Sequence, residues 1–165
     1  MKNKSVNILI VALLLLGIMS VILITFLHKA KEDFPKDIRV RENGVTETIL
    51  PVRDLALIPT ESRTYEVDLV CAASGMYHIY LTYEEKTNGG MKAFVDVTVK
   101  IEDQTIYEGK LAHLLDGDEV LHYEGELHAT EPMCISVTYH MPYDVSNDAQ
   151  GTHSDFDIHL KIKKS

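Results

Sequence analysis

The chain has 165 residues and a formal net charge of −9, with 25 acidic side chains against 16 basic ones. That excess of acid excludes a surface built for nucleic acid, whose phosphates need clustered Lys and Arg. About 130 residues follow the apolar amino-terminal run and its flank, enough for one domain with a core that needs no staples, and the use of only two cysteines fits a protein that relies on that core.

Residues 1–5 are a short basic tail carrying Lys2 and Lys4. Residues 6–27, VNILIVALLLLGIMSVILITFL, are uncharged, with Asn7, Ser20 and Thr25 as the polar side chains. As a helix they span roughly 33 Å, against about 30 Å for the hydrocarbon core of a bilayer. Secretory signals have apolar regions of about 7–15 residues and a small-residue cleavage site. Here the run is longer, and Thr25-Phe26-Leu27-His28-Lys29 offers no such site. The expectation is an uncleaved signal-anchor helix in the cell membrane, with the bilayer as its partner. Lys29, Lys31, Lys36, Arg39 and Arg41 follow the helix, and a plain charge count would keep them in the cytoplasm. Long soluble domains translocate largely regardless of charge, and the tail reads as an ordinary basic leader. A single-pass protein with its carboxyl-terminal domain extracytoplasmic is therefore expected.

Residues 28–41, with Pro35, read as a juxtamembrane linker, and residues 42–165 as the folded ectodomain. Asn43-Gly44 is a strong turn signal and predicts a hairpin between residues 39–41 and 45–50. Pro51 and Pro59 bracket residues 52–58, which read as a short edge strand or an extended connector. Alternation then dominates. Tyr65, Val67 and Leu69 form one apolar set; Tyr77, Ile79, Leu81 and Tyr83 the next; then Val95, Val97, Val99 and Ile101. Ile106 and Tyr107 predict a short strand, and residues 110–115 (KLAHLL) are too few for a helix stable alone. Leu121, Tyr123 and Leu127 alternate with His122, Glu124, Glu126 and His128; Met133, Ile135, Val137, Tyr139 and Met141 follow; Phe156, Ile158, Leu160 and Ile162 close the chain. Seven to nine half-buried strands with almost no helix predict an all-β, antiparallel sandwich or barrel. No internal repeat is evident.

Phase separates the cysteines. Cys71 continues the inward set of Tyr65, Val67 and Leu69, whereas Cys134 falls on the outward set with Ser136, Thr138 and His140. Cysteines on opposite faces rarely approach within the roughly 7 Å Cα separation that a disulfide tolerates, and a bulge would be needed to pair them.

Near the carboxyl end the chain reads NDAQGTHSDFDIHLKI. Asn147 suits a turn through its side chain, Gly151 supplies positive φ, and Gln150 can satisfy nearby backbone, so a structural turn motif is expected. With Phe156 after it, this stretch resembles the TasA/camelysin family of bacterial surface and biofilm-matrix proteins, which carry an Asn-x-x-Gln-Gly turn before an alternating strand. Leu57-Ile58-Pro59-Thr60-Glu61-Ser62 and Ile106-Tyr107-Glu108-Gly109-Lys110-Leu111 stand where that family has an early turn and a strand leading into a short helix. The resemblance covers residues 55–163. It implies a jelly-roll sandwich at the cell surface and, in several members, assembly into fibres by strand donation. Two features depart from it. Residues 26–30 (FLHKA) lack the family's cleavage motif, which suggests a retained anchor, and the tail KIKKS replaces the family's usual ending.

His122, Glu124 and His128 share one predicted strand face and are suitable zinc ligands, with His78 and His140 as outward candidates from other strands. Camelysin is described as a metal-dependent protease, so the resemblance implies a zinc-dependent surface protease as the alternative function. No HExxH or GxSxG sequence occurs, and neither cysteine has a neighbouring His. Asp116-Gly117-Asp118-Glu119 and Asp155 with Asp157 are carboxylate clusters that would suit calcium, though without the spacing of an EF-hand. A solvated polar face needs no cofactor, and none is expected. The outward tyrosines Tyr80, Tyr107 and Tyr143 are candidates for a contact surface. The leading expectation is a structural or interaction role, with self-association or attachment to a matrix protein by strand addition at an open sheet edge.

Overall fold

Period-two alternation sets the architecture. The computed structural model describes residues 34–87, 90–117, 119–145, 149 and 151–165. Within the compact unit Phe34–Ser165, the strands in chain order are β1 (Asp37–Val40), β2 (Val45–Leu55), β3 (Ser62–Cys71), β4 (Gly75–Thr87), β5 (Asp96–Ile101), β6 (Gln104–Lys110), β7 (Leu121–Leu127), β8 (Met133–His140) and β9 (Ser154–Lys164). A 3-10 turn, Met91–Ala93, precedes β5, and a six-residue helix α1, Leu111–Asp116, follows β6. The strands form two sheets packed as a sandwich, a five-stranded one ordered β1-β3-β8-β5-β6 and a four-stranded one ordered β2-β9-β4-β7. Every pairing is antiparallel except β1 with β3.

The pairings are nested: β5 with β6, β4 with β7, β3 with β8 and β2 with β9. The chain thus runs as one long ribbon, bent at Glu102-Asp103, whose two ends meet where Val45 lies opposite Lys163. Glu102 takes φ 52 at that bend. Its position is held by β8, since its N–H donates to the Cys134 carbonyl at 2.8 Å and its Oε1 accepts from the Cys134 N–H at 2.6 Å.

The inward sets expected from alternation form the core. Ile79, Leu81, Val97, Val99, Ile135, Val137, Ile158 and Leu160 are all buried. An aromatic row runs through it: Phe34 on Tyr65 (ring centroids 5.1 Å apart), Tyr65 on Tyr139 (5.8 Å), Tyr139 on Phe156 (5.5 Å) and Phe156 on Tyr83 (6.2 Å). The Tyr139–Phe156 contact is edge-to-face at 67° and joins the two sheets, the geometry that ring quadrupoles favour. Burial pushes the phenol pKa of both Tyr83 and Tyr139 up, and each raises or tempers the other. Among the described residues neither hydroxyl has a well-directed hydrogen-bond partner.

The outer strands β6 and β7 share a device. Tyr107 and Gly109 face inward opposite Val99 and Val97, and Tyr123 and Gly125 face inward opposite Ile79 and Tyr77. Each tyrosine folds over the glycine two residues on: a Cβ on Gly109 would lie 2.7 Å from the Tyr107 hydroxyl, and one on Gly125 2.6 Å from that of Tyr123. The glycine leaves room for the ring, and the ring covers the bare backbone at the sandwich's side. Tyr-Glu-Gly-Xaa-Leu thus occurs twice, at residues 107–111 and 123–127.

Several expectations change. The hairpin around Asn43-Gly44 does not form: β1 pairs in parallel with β3 and β2 with β9, so Gly44, at φ 107, turns the chain from one sheet to the other. The local turn signal was real, but the partners of the flanking strands are set by burial of Ile38 and Val40 elsewhere. Residues 37–40, read as linker, belong to the sandwich. β2 continues through Pro51 to Leu55, on an edge where a missing N–H costs no ladder bond. Tyr107 packs inward, not outward. Cys71 and Cys134 are unpaired, as their phases required. Residues 6–27, Asn147 and Gln150 lie outside the described residues; Gly151 has the positive φ its turn needs, 75°. Among the described residues no helix is long and apolar enough to cross a membrane.

Two stability predictions follow from the core and the edge. Tyr139→Ala should cost about 3–5 kcal/mol in denaturant unfolding, while Tyr139→Phe, which removes an ill-satisfied hydroxyl, should stay within about 1 kcal/mol of wild type. Gly125→Ala should cost about 1–3 kcal/mol by displacing the Tyr123 ring; an unchanged unfolding midpoint would show that the ring is not packed there.

Candidate functional site

Because each strand buries one face, chemistry must sit on the other. The outer face of the four-stranded sheet carries the densest set of ionisable and aromatic side chains. Its rows follow from the register. Lys163, His78 and Glu124 lie side by side across β9, β4 and β7; Glu47, Lys161, Tyr80 and His122 form the next row; Ile49, His159 and Thr82 the third; Pro51, Asp157 and Glu84 the fourth. An open groove of about 760 Å³ runs over the middle rows, with Ile49, Tyr80, Thr82, Val120, His159 and Lys161 in its lining.

At the β4–β7 edge, His78 Nδ1 and His122 Nε2 are 3.2 Å apart. Ring centroids 5.4 Å apart and planes 19° apart place the imidazoles edge to edge, with a single N–H donating between them. Tyr80 lies parallel to His122 at 4.7 Å. Glu124 Oε2 is 3.7 Å from the same His78 nitrogen.

In the fourth row a charged chain crosses three strands. Arg53 Nη2 contacts Asp157 Oδ1 at 2.6 Å; Lys86 Nζ reaches Asp157 Oδ2 at 3.3 Å and Glu84 Oε1 at 2.7 Å; Glu84 Oε2 meets His159 Nε2 at 2.8 Å. Arg53 also donates through Nη1 to the Phe156 carbonyl at 2.8 Å. Glu84, Asp157 and His159 bring ligand atoms within 4.8 Å of one another, and among the described residues they are the one trio that does. Asp157 is buried, yet Arg53 and Lys86 already match the two carboxylates charge for charge. An added cation would have to displace them, so the cluster reads as an ion-pair network.

The expected trio of His122, Glu124 and His128 does not converge. His122 lies on β7 and His128 just past its end, six residues on, or roughly 20 Å at about 3.3 Å per residue. His128 instead lies 3.9 Å from Glu126, and His122 meets His78 across the strand gap. His140, the other outward candidate, is bonded to Ser62 Oγ at 2.9 Å. Asp116 is paired with Lys92 at 2.6 Å, which removes it from a calcium loop; Asp118 lies outside the described residues. The Arg53–Asp157–Lys86–Glu84 chain was missed from sequence. Its signal is two outward pairs at spacing two, Glu84/Lys86 and Asp157/His159, which become neighbours only once the β4–β9 register is known.

No family model matches this chain, and no curated protein matches it. Among solved structures it is similar to the CUB1-EGF-CUB2 domains of rat MASP-1, at 17% identity over 77% of this chain and 42% of that one, with a TM-score of 0.38. It is also similar to the pre-peptidase C-terminal domain of collagenase from Bacillus anthracis (9%, 81% and 98%, TM-score 0.29) and to PliG of Aeromonas hydrophila, a periplasmic inhibitor of g-type lysozyme (10%, 78% and 96%, 0.30). The chain spans less than half the length of the MASP-1 chain. Likenesses this distant say nothing of a shared ligand or activity.

The ion-pair chain has a pH signature. Lys86, and then His159, hold the Glu84 carboxyl below its ordinary value of 4.5. A depressed folded-state value stabilises the fold above the unfolded value and ceases to do so as pH falls through the folded one. In a carboxyl NMR titration Glu84 should therefore titrate below 4.5, and Lys86→Met should move it back up. A titration identical in both proteins would mean the contact does not persist in solution.

Proposed function

We propose that this chain is a single-pass, membrane-anchored, extracytoplasmic protein of TasA/camelysin type, whose jelly-roll sandwich serves a structural or interaction role at the bacterial surface by strand addition. The nested order of β2 to β9, with β2-β9-β4-β7 on one side and β3-β8-β5-β6 on the other, supports the jelly-roll reading. The uncharged run 6–27 supports the anchor.

One observation carries the interaction reading. β1 covers residues 68–71 of the ten-residue β3, so among the described residues β3 pairs on one side alone from 62 to 67. The Asp68 N–H donates outward to the Lys36 carbonyl at 2.9 Å. Backbone groups alternate along a strand, so the N–H and C=O of Glu66 and Thr64 point to that same side. A bare stretch of strand edge is a template for another chain. The edges β6 and β7 are less inviting, since their exposed faces carry Glu108 or Glu124 and Glu126 and each contains a glycine. No observation favours the zinc-protease alternative, since His128 lies beyond the end of β7, away from His122.

The test has two parts. In intact cells, added protease should digest residues beyond 41 while mass spectrometry finds residues 6–27 retained; a fully protected domain would reverse the topology, and a released chain beginning near Lys29 would replace the anchor with a cleaved signal. Thr64→Pro should abolish cross-linked assemblies of the full chain without unfolding it, whereas Thr64→Val, which keeps the N–H and loses only the 2.9 Å contact with Thr138, should leave them. Assemblies that persist in the proline variant would sink the β3 edge.

A further inference from the structure

We propose that His78, His122 and Glu124, at the β4–β7 edge of the outer face, form a binding site for a divalent transition ion of the zinc class. The two imidazole nitrogens are 3.2 Å apart. Ligand atoms at about 2.0–2.1 Å from a tetrahedral zinc lie about 3.3 Å from each other, so the pair is already at the required spacing. Glu124 Oε2 lies 3.7 Å from His78 Nδ1 and would have to swing toward His122 to serve as the third ligand. Its side chain is half exposed, and a rotamer change supplies that swing. A tetrahedral ion at a surface edge would complete its shell with water.

The same geometry explains the state without metal. Two neutral ring nitrogens facing each other share one N–H as an N–H···N bond, and an ion entering between them takes both lone pairs once the donor ring carries its proton on its other nitrogen, so no net proton is released. Each ring must turn by about 35° out of the edge-to-edge alignment so that both lone pairs point at one tetrahedral centre. His78 is held by β4 between two neighbours in register, and Tyr80 lies parallel to His122, which limits how far either ring can stray. Imidazole and carboxylate donors at this spacing select zinc, copper, nickel or cobalt over calcium and magnesium, which prefer more oxygens. The charges around the site are mixed. Lys163, opposite His78 on β9, opposes a cation, Lys161 is neutralised by Glu47 at 2.8 Å, and Glu126 lies further along β7. The site is separate from the β3 edge, because β7 and β3 lie toward opposite sides of the sandwich.

The test uses the purified full chain in detergent micelles, titrated with zinc chloride in a calorimeter. One ion per chain is expected. His122→Ala should weaken binding at least tenfold and Glu124→Gln several-fold, Lys163→Ala should tighten it, and His128→Ala should change nothing. Cobalt(II) should show the intense visible bands of a four-coordinate ion. If an alanine variant misfolds, zinc-induced shifts of the His78 and His122 imidazole signals in the wild-type chain decide the matter alone. Binding that His128→Ala weakens as much as His122→Ala, a six-coordinate cobalt spectrum, or imidazole signals unmoved by zinc would overturn the assignment.

Discussion

The contact between Tyr139 on β8 and Phe156 on β9 is where the two sheets depend on each other. β8 lies between β3 and β5, and β9 between β2 and β4, so these rings sit on the two strands that hold most of each sheet together. The pair is fully buried and edge-to-face. Remove it, and the aromatic row from Phe34 to Tyr83 is cut in the middle. The row also fixes register. A one-residue slip of β8 would bring Thr138 or His140 to the Phe156 ring and expose Tyr139, because strand side chains alternate strictly. The nesting adds a cost of its own: β2 finds β9 across more than a hundred residues of chain. Loop-closure entropy grows only slowly with length, so the penalty falls more on folding speed than on stability.

This division of faces explains why the outer side of the four-stranded sheet holds so much of the interesting chemistry. The inner positions must supply volume, and they do so with branched aliphatics and rings. The outer positions are free to vary. There the rows from Val45 to Asp157 collect His78, His122, His159, Tyr80 and paired charges on three central or edge strands. A buried carboxylate such as Asp157 is tolerable only because Arg53 and Lys86 accompany it. The His78–His122 pair needs no such neutralisation, since one shared proton satisfies both nitrogens. The first cluster is therefore committed to holding strands together, and the second retains donor capacity.

The fold class, the core and the separation of the cysteines were legible from alternation alone, because period two is a direct consequence of strand geometry and burial. Partner identity was not. Asn43-Gly44 has the local chemistry of a hairpin, yet Ile38 and Val40 find their burial beside β3, and a turn signal cannot say which sheet the next strand enters. The expected trio of His122, Glu124 and His128 does not converge for a related reason: sharing a face separates ligands by about 7 Å per step, whereas His78 on the neighbouring strand lies 3.2 Å from His122. Tyr107 looked outward because its short predicted strand was read without Gly109. The glycine is what allows the ring to turn in, and the recurrence of Tyr-Glu-Gly in β7 was the signal for it.

The two sides of the sandwich therefore present different chemistry. At the β7 side the exposed faces are charged and the glycine backbone is covered by Tyr123, which disfavours pairing with another strand. At the β3 side the exposed resource is backbone itself, since Thr64 and Glu66 direct their N–H and C=O groups away from β8. A few backbone hydrogen bonds contribute little individually, each about 0.5–1.5 kcal/mol net, and an edge of six residues would bind weakly between chains free in three dimensions. Confinement changes that balance: chains held on one surface meet at a high effective concentration, and weak contacts become occupied without any new interaction. On the proposed reading, an anchor at residues 6–27 and a half-covered β3 would make a consistent pair, because the weakness of the edge would keep soluble copies apart while the anchor would let surface-bound copies associate.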